Sequence, residues 1–135
     1  MRSPILRAFA EREALDEIEQ TLSGLWEQHA WVPGEIRTGL GIAVSEIAAN
    51  IIEHATKGLE RPVQLQMWAQ VRDHDVLIDF TDDGIPTLVD LAALETPHEL
   101  AEGGRGLLLA QAVLDQLTYQ RTDGANHWTL VSRPF

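Results

Sequence analysis

The 135-residue sequence contains no cysteine and only one lysine, and both scarcities exclude whole classes of site. Without cysteine there can be no disulfide, no thiolate zinc or iron–sulfur centre and no cysteine nucleophile. The lysine, Lys57, precedes Gly58 and is not part of a G-K-[ST] motif, so there is no Walker A loop. The G-x-S-x-G elbow of serine hydrolases and the H-E-x-x-H helix of metalloproteases are also missing.

Positive charge is scarce in general. Ten basic residues stand against 21 acidic ones, which gives a net charge of −11. This excess disfavours binding to nucleic-acid phosphates and to anionic lipid, because both need basic patches. No apolar run approaches the roughly 18 residues of a membrane-spanning helix, and the first residues form no apolar block of the secretory type. We therefore expect a cytoplasmic protein that contacts neither nucleic acid nor membrane.

The rest of the composition is that of a globular protein, with 44% hydrophobic and 23% charged residues. At roughly 150 residues per domain, residues 1–135 predict a single domain. Hydrophobic periodicity predicts strands at 4–9, 63–71, 75–81, 118–122 and 127–132, helices at 11–30, 33–56 and 106–117, and a loop at 87–103 with a short helix near 88–94. Neighbouring strands that pair favour an α/β (α+β) two-layer sandwich, with a mainly antiparallel sheet and helices on one face.

Three polar residues of the second predicted helix, Glu46, Asn50 and His54, are spaced four apart and therefore lie in one row. The row runs beside the apolar stripe that contains Leu40 and Ile47. When polar groups are this close to a buried stripe, either they line the rim of a cavity or their burial carries a desolvation cost. The alternative is an ordinary solvated helix edge, since Glu and Asn are usually exposed.

Two glycine-containing segments follow. Residues 82–86 (DDGIP) come directly after a strand, where a carboxylate could accept a hydrogen bond from a ligand and glycine would let the backbone approach closely. The same residue types are typical of a plain turn. Residues 103–106 (GGRG) precede an apolar helix, whose first N–H groups could hold a phosphate. The alternative there is a flexible entry to the helix.

In this order, the three segments resemble the N, G1 and G2 boxes of the GHKL (Bergerat) ATP-binding fold, which histidine kinases and type II topoisomerases share. The matching residues are 44–55 (VSEIAANIIEHA), 80–86 (FTDDGIP) and 103–109 (GGRGLLL). The resemblance is strongest to the small stand-alone anti-sigma factor serine/threonine kinases of the RsbW/SpoIIAB-like family, and it covers essentially the whole chain.

The resemblance implies a role for each matching residue. Asn50 would coordinate Mg²⁺, Glu46 would be the catalytic base, and Asp82 rather than Asp83 would bind the amino group of adenine. His54 would contact phosphate or simply pack. The other ATP-binding residues would be Gly84, Gly104, Arg105, Gly106, Leu107 and Asn126.

One position departs from the family pattern. The last hairpin of the family usually carries Gly-Thr, whose threonine supports the adenine-binding aspartate, whereas this sequence has Ala125-Asn126. An asparagine side chain both donates and accepts hydrogen bonds. Asn126 is therefore the expected substitute, and Thr129 is a weaker candidate.

By resemblance, the protein is a serine/threonine kinase that uses ATP and Mg²⁺. Its substrate would be a STAS-domain anti-anti-sigma factor, and it would sequester a sigma factor when that antagonist is phosphorylated. Family members are often homodimers, and we expect one here. Two other functions remain open. One is a nucleotide-dependent binding module that holds a protein partner and transfers no phosphate. The other is a switch kinase of the same fold that acts on a STAS scaffold.

Overall fold

A computed structural model describes residues 2–87 and 104–135. It contains strand β1 (Leu6–Phe9), helices α1 (Glu13–Gln28) and α2 (Gly34–Asn50), and a π-helical turn (Ile51–Ala55) that continues α2. Strands β2 (Gln64–Val71) and β3 (Val76–Asp82) follow. Helix α3 (Gly104–Val113) then leads into strands β4 (Leu114–Thr122) and β5 (Ala125–Ser132).

The strands form one antiparallel sheet in the order β1-β2-β3-β5-β4. Strand β3 is therefore central, and its last residue, Asp82, pairs with Leu65 of β2 on one side and with Asn126 of β5 on the other. The two-layer α/β architecture expected from the sequence is confirmed.

One apolar core fills the space between the sheet and the helices. Helix α2 turns its stripe inward, with Leu40, Ala43, Val44 and Ile47 at most 1% exposed, as its helical spacing predicts. The alternation of β3 is confirmed as well, because Val76, Ile78 and Phe80 are fully buried. These two elements bring the end of α2 and the end of β3 to the same edge of the core.

The structure corrects three boundaries. The helix predicted over 106–117 ends at Val113, and β4 begins at Leu114, so Leu117 pairs with Leu130 in the sheet. Apolar residues at 114 and 117 suit a helix and a half-buried strand equally well, and pairing with β5 decides the outcome. Strand β5 begins at Ala125, two residues earlier than predicted, and the predicted single helix at 33–56 changes to a π-turn after Asn50.

The predicted hairpin around Asp123-Gly124 is confirmed. Both residues have positive φ, at 53° and 74°, which the tight turn between β4 and β5 requires. The loop predicted over 87–103, with its short helix near 88–94, lies outside the described residues apart from Thr87.

Candidate functional site

Asp82 is the most deeply buried acidic residue of the described chain, at 2% exposure. Its Oδ1 accepts hydrogen bonds from the backbone N–H of Gly84 at 2.9 Å and from Nδ2 of Asn126 at 2.8 Å. Within the described residues, its Oδ2 is the one buried side-chain polar atom that has no hydrogen-bond partner. A buried acceptor without a donor is costly, so a ligand that supplies one would bind favourably there.

Burial raises the pKa of Asp82 above the ordinary value for an aspartate. The hydrogen bonds from Asn126 and Gly84 and the positive charge of Arg121 oppose this rise, and the neighbouring carboxylate of Asp83 adds to it. The carboxylate is thus held in a site that disfavours its negative charge, which is common where a protein recognises a ligand.

Asp82 faces a narrow cavity between the end of α2 and the end of the sheet. The residues that line it are Asn50, Ile51, His54, Ala55, Asp82, Ile85, Pro86, Thr87, Asn126 and Trp128. Its volume is about 10 Å³, room for about one water molecule. Two larger hollows, about 600 Å³ between α1 and α2 and about 430 Å³ along β1, contain no buried polar atom without a partner among the described residues.

Asn50, the last residue of α2, and His54, in the π-turn that continues this helix, both line the cavity. Asn50 is 8% exposed, and its side chain makes no hydrogen bond within the part of the chain that the structure describes. Its amide oxygen is a hard ligand of the kind that Mg²⁺ prefers. A π-turn inside a helix is frequent at functional sites, although hydrophobic periodicity does not reveal one.

Glu46 does not share the cavity with Asn50 and His54. Its carboxylate lies against Gly106, in the first turns of α3, where a Cβ would come within 3.2 Å of Glu46 Cδ and nearer still to Oε2. The row predicted on α2 is therefore divided between two places. Glu46 contacts the glycine-rich segment at the start of α3. Asn50 and His54 instead line the cavity that Asp82 faces.

Gly84 is equally close to the π-turn. A Cβ at this position would lie 2.7 Å from Cβ of Ala55 and nearer still to its carbonyl oxygen, which accepts the N–H of Ile85 at 2.9 Å. Only glycine permits this approach of loop to helix. The second box is thereby fixed against the first by backbone contact.

The neighbouring carboxylate has a different environment. Asp83 is half exposed, forms an ion pair with Arg61 at 3.3 Å and accepts the N–H of Gln64 at 2.8 Å. It therefore fixes the loop to β2 and does not face the cavity. Thr129, the weaker candidate for support of Asp82, donates instead to Asp79 at 2.8 Å.

The remaining predicted residues lie at the start of α3. The helix begins at Gly104, Arg105 is exposed there, and the side chain of Leu107 is fully buried in the core. Any contact of Leu107 with a ligand would therefore involve its backbone.

Sequence reasoning missed three residues of the site: Trp128, which lines the cavity, and Tyr119 and Arg121, whose side chains both bond to Asn126. The signal that could have found them is strand register. Residues 119 and 121 share a face of β4 and pair with 128 and 126 of β5.

Comparison with known proteins identifies the family. The family described as "Histidine kinase-like ATPase domain" matches residues 9–132, almost the whole chain. The chain belongs to the histidine kinase-like ATPase family. The resemblance seen in the three boxes is therefore confirmed at the level of the family.

Two curated relatives within this family are named as protein kinases. The serine-protein kinase RsbW of Bacillus pumilus is 31% identical over 134 residues, which cover 85% of this chain and 76% of that protein. The serine/threonine-protein kinase BtrW of Bordetella bronchiseptica is 32% identical over 102 residues, which cover 72% of this chain and 70% of that protein.

A solved structure shows the same fold. It is the histidine kinase domain of a blue-light activated histidine kinase from Erythrobacter litoralis, with a TM-score of 0.56 and 22% identity. The match covers 75% of this chain and 46% of that one. No helix of the described residues is both long and apolar enough to cross a membrane.

Proposed function

We propose that this chain is a serine/threonine protein kinase that uses ATP and Mg²⁺ and phosphorylates a STAS-domain anti-anti-sigma factor. Membership of an ATPase family and two relatives named as serine or serine/threonine kinases support kinase activity and ATP binding. Within the structure, the observation that carries the proposal is Asp82 Oδ2, a buried acceptor without a partner at the edge of a cavity.

An adenine base supplies the donor that Oδ2 lacks. Its amino group would donate to Asp82, and Gly84 lets the loop beside Asp82 pack directly against the backbone of Ala55. The cavity, at about 10 Å³, must widen to admit a ring.

Asn50 and the start of α3 suit the phosphates. Asn50 offers one amide oxygen to Mg²⁺, an ion that usually takes few protein ligands and bridges phosphate oxygens. The first N–H groups of α3 and the guanidinium of Arg105 favour negative charge at the same end of the molecule. The metal ion, when bound, neutralises charge that develops on the transferred group.

Glu46 is the residue that we assign as the base. Its carboxylate lies against Gly106, in the turns of α3 where the phosphates would be held. There it would take the proton of the substrate hydroxyl, while the hydroxyl oxygen bonds to the γ-phosphorus and the bond to the leaving ADP oxygen breaks. No atom is left unaccounted for, because the proton stays on Glu46.

The partners in this proposal are the anti-anti-sigma factor, a sigma factor and a second copy of the chain in a homodimer. The net charge of −11 suits a basic segment of a sigma factor, although charge governs the rate of encounter more than the identity of the partner.

The test is phosphoryl transfer to the STAS-domain proteins encoded in the same genome, measured by intact mass. We expect one phosphoryl group to be added by the wild type and none by Glu46→Gln, which should still bind ADP. Glu35→Gln is the matched control, since Glu35 is an exposed glutamate in the first turn of the same helix. Full transfer by Glu46→Gln would remove the assigned base.

A different result would favour one of the alternatives. Capture of a protein partner in the presence of ATP, without transfer to any STAS protein, would indicate a binding module. Transfer to a larger STAS scaffold alone would indicate a switch kinase.

A further inference from the structure

The strand register places three polar side chains in one row across the sheet. Asp82 of β3 pairs with Asn126 of β5, and Asn126 pairs with Arg121 of β4. The next row on the same face contains Phe80, Trp128 and Tyr119. Asp82 therefore lies beside the β4–β5 hairpin, whose Asn126 and Trp128 line the same cavity.

The hydrogen bonds of Asn126 fix the direction of its amide. Nδ2 donates to Asp82 Oδ1 at 2.8 Å and to the carbonyl of Ile85 at 2.7 Å. Oδ1 accepts from Arg121 Nη1 at 3.1 Å and from the hydroxyl of Tyr119. Arginine is a donor only, so a reversed amide would set donor against donor on that side and acceptor against acceptor at Asp82.

The same two side chains hold the loop that forms one wall of the cavity. Arg121 Nη1 donates to the carbonyl of Gly84 at 2.6 Å, and the hydroxyl of Tyr119 accepts the N–H of Thr87 at 3.0 Å. With the bond from Asn126 to Ile85, backbone groups of Gly84, Ile85 and Thr87 are bonded to side chains of the β4–β5 hairpin.

This arrangement decides what Asp82 offers to a ligand. Both donors supplied by the protein, Gly84 N–H and Asn126 Nδ2, bond to Oδ1, and Oδ2 is left as a bare acceptor. A purine with an amino group at C6 satisfies it. A purine with a C6 oxo group would place acceptor against acceptor in a buried site, which is costly.

We infer that Tyr119 and Arg121 are positioning residues for base selection: they orient Asn126 and the 84–87 loop so that Asp82 Oδ2 accepts a 6-amino purine and rejects a 6-oxo purine. The inference rests on the proposed function and extends it to residues that do not touch the nucleotide. A threonine at 126 has one hydroxyl and could not make all four of these bonds.

The test compares the affinities of ADP and inosine diphosphate, which differ in the C6 group and at N1, by calorimetry with Mg²⁺. Wild type should prefer ADP by roughly 10- to 100-fold, the range for one unsatisfied buried group. Tyr119→Phe keeps the ring on Trp128, at 4.8 Å between centroids, and removes only the hydroxyl. We expect that variant and Arg121→Met each to lower the preference several-fold, and the double variant to lower it further.

The control is Arg133→Met, because Arg133 is also an exposed arginine but bonds to the carbonyl of Ala112 at 2.5 Å, away from the cavity. It should keep the wild-type preference. If Tyr119 and Arg121 had a merely structural role, their substitution would weaken the binding of both nucleotides equally. The ratio of the ADP affinity to the inosine diphosphate affinity would then stay unchanged. The inference would be overturned by an unchanged ratio or by unchanged affinities, provided that the variants keep the wild-type melting temperature.

The outcomes separate this inference from the proposed function. If wild type binds neither nucleotide, the proposed function fails and the inference fails with it. If wild type prefers ADP and the variants keep that preference, the inference alone is wrong.

Discussion

Two glycines are packed against neighbours of different kinds, and this difference predicts different results of substitution. A Cβ on Gly84 would collide with the backbone of Ala55, whereas a Cβ on Gly106 would collide with the end of the Glu46 side chain. A backbone cannot move aside without strain, but a flexible carboxylate can. Gly84 therefore supports the fold of the site, and Gly106 sets the position of one side chain.

We predict that Gly106→Ala folds as stably as wild type and loses most phosphoryl transfer. Alanine is favoured over glycine in a helix by roughly 0.5–1 kcal/mol, while displacement of Glu46 removes the base from its place. Urea unfolding and the transfer assay check the two parts. Gly84→Ala is the contrast and should be destabilised by about 1–3 kcal/mol. Normal transfer by Gly106→Ala would show that the contact with Glu46 does not matter.

Asp82 predicts a pH dependence of stability. Its pKa is raised by burial, so the folded chain binds a proton more tightly there than the unfolded chain does. The stability that this proton contributes is complete below the ordinary aspartate pKa and is lost as pH rises through the higher pKa of the folded chain. The free energy of unfolding of Asp82→Asn minus that of wild type should therefore increase with pH over this window, as measured by urea unfolding at a series of pH values. Equal profiles for the two proteins would contradict the assigned environment.

At the scale of elements, the site that we propose for the nucleotide consists of the π-turn, the 84–87 loop and the start of α3. Mg²⁺-ADP should slow amide hydrogen exchange in these three segments, because bound nucleotide suppresses their local opening. Helix α1, beside the larger hollow, should exchange at an unchanged rate. Mass spectrometry of peptic fragments measures these exchange rates. Protection confined to α1 and the outer face of α2 would contradict the assigned site, because the ligand would then lie between these two helices.

Most elements could be predicted from sequence because their apolar spacing is unambiguous. The stripe of α2 and the alternation of β3 each permit one structure, and both are observed. The segment around Leu114 and Leu117 is different, since its pattern fits two structures and long-range pairing with β5 selects the strand. The π-turn leaves no periodic signature, so it could not be foreseen.

Residues of the site could be predicted from the sequence only where they belong to a local motif. Asp82 and Gly84 stand in one short segment, and the contact of Asn126 with Asp82 follows from a recognised family position. Tyr119 and Arg121 carry no motif. Their place depends on the register of β4 against β5 and of β5 against β3, which links residues 82 and 121 across three strands.

At the scale of the whole molecule, one sheet and one helical layer bring three distant segments of the chain to the same edge of the core. Segments 50–55, 82–87 and 126–128 each contribute residues that line the cavity. The fold is that of the family to which the chain belongs. The unpaired Oδ2 of Asp82 is the reason why we propose this residue as the group that binds the ligand.

The most direct test of the central claim is calorimetric titration of the purified protein with Mg²⁺-ATP and Mg²⁺-ADP, beside Asp82→Asn. We predict binding of both nucleotides by wild type and a loss of roughly 10- to 100-fold in affinity in the variant, as expected for a buried acceptor that can no longer accept. Equal affinity in the variant would remove Asp82 from the base site, and no binding by wild type would contradict the assignment of a nucleotide to this cavity.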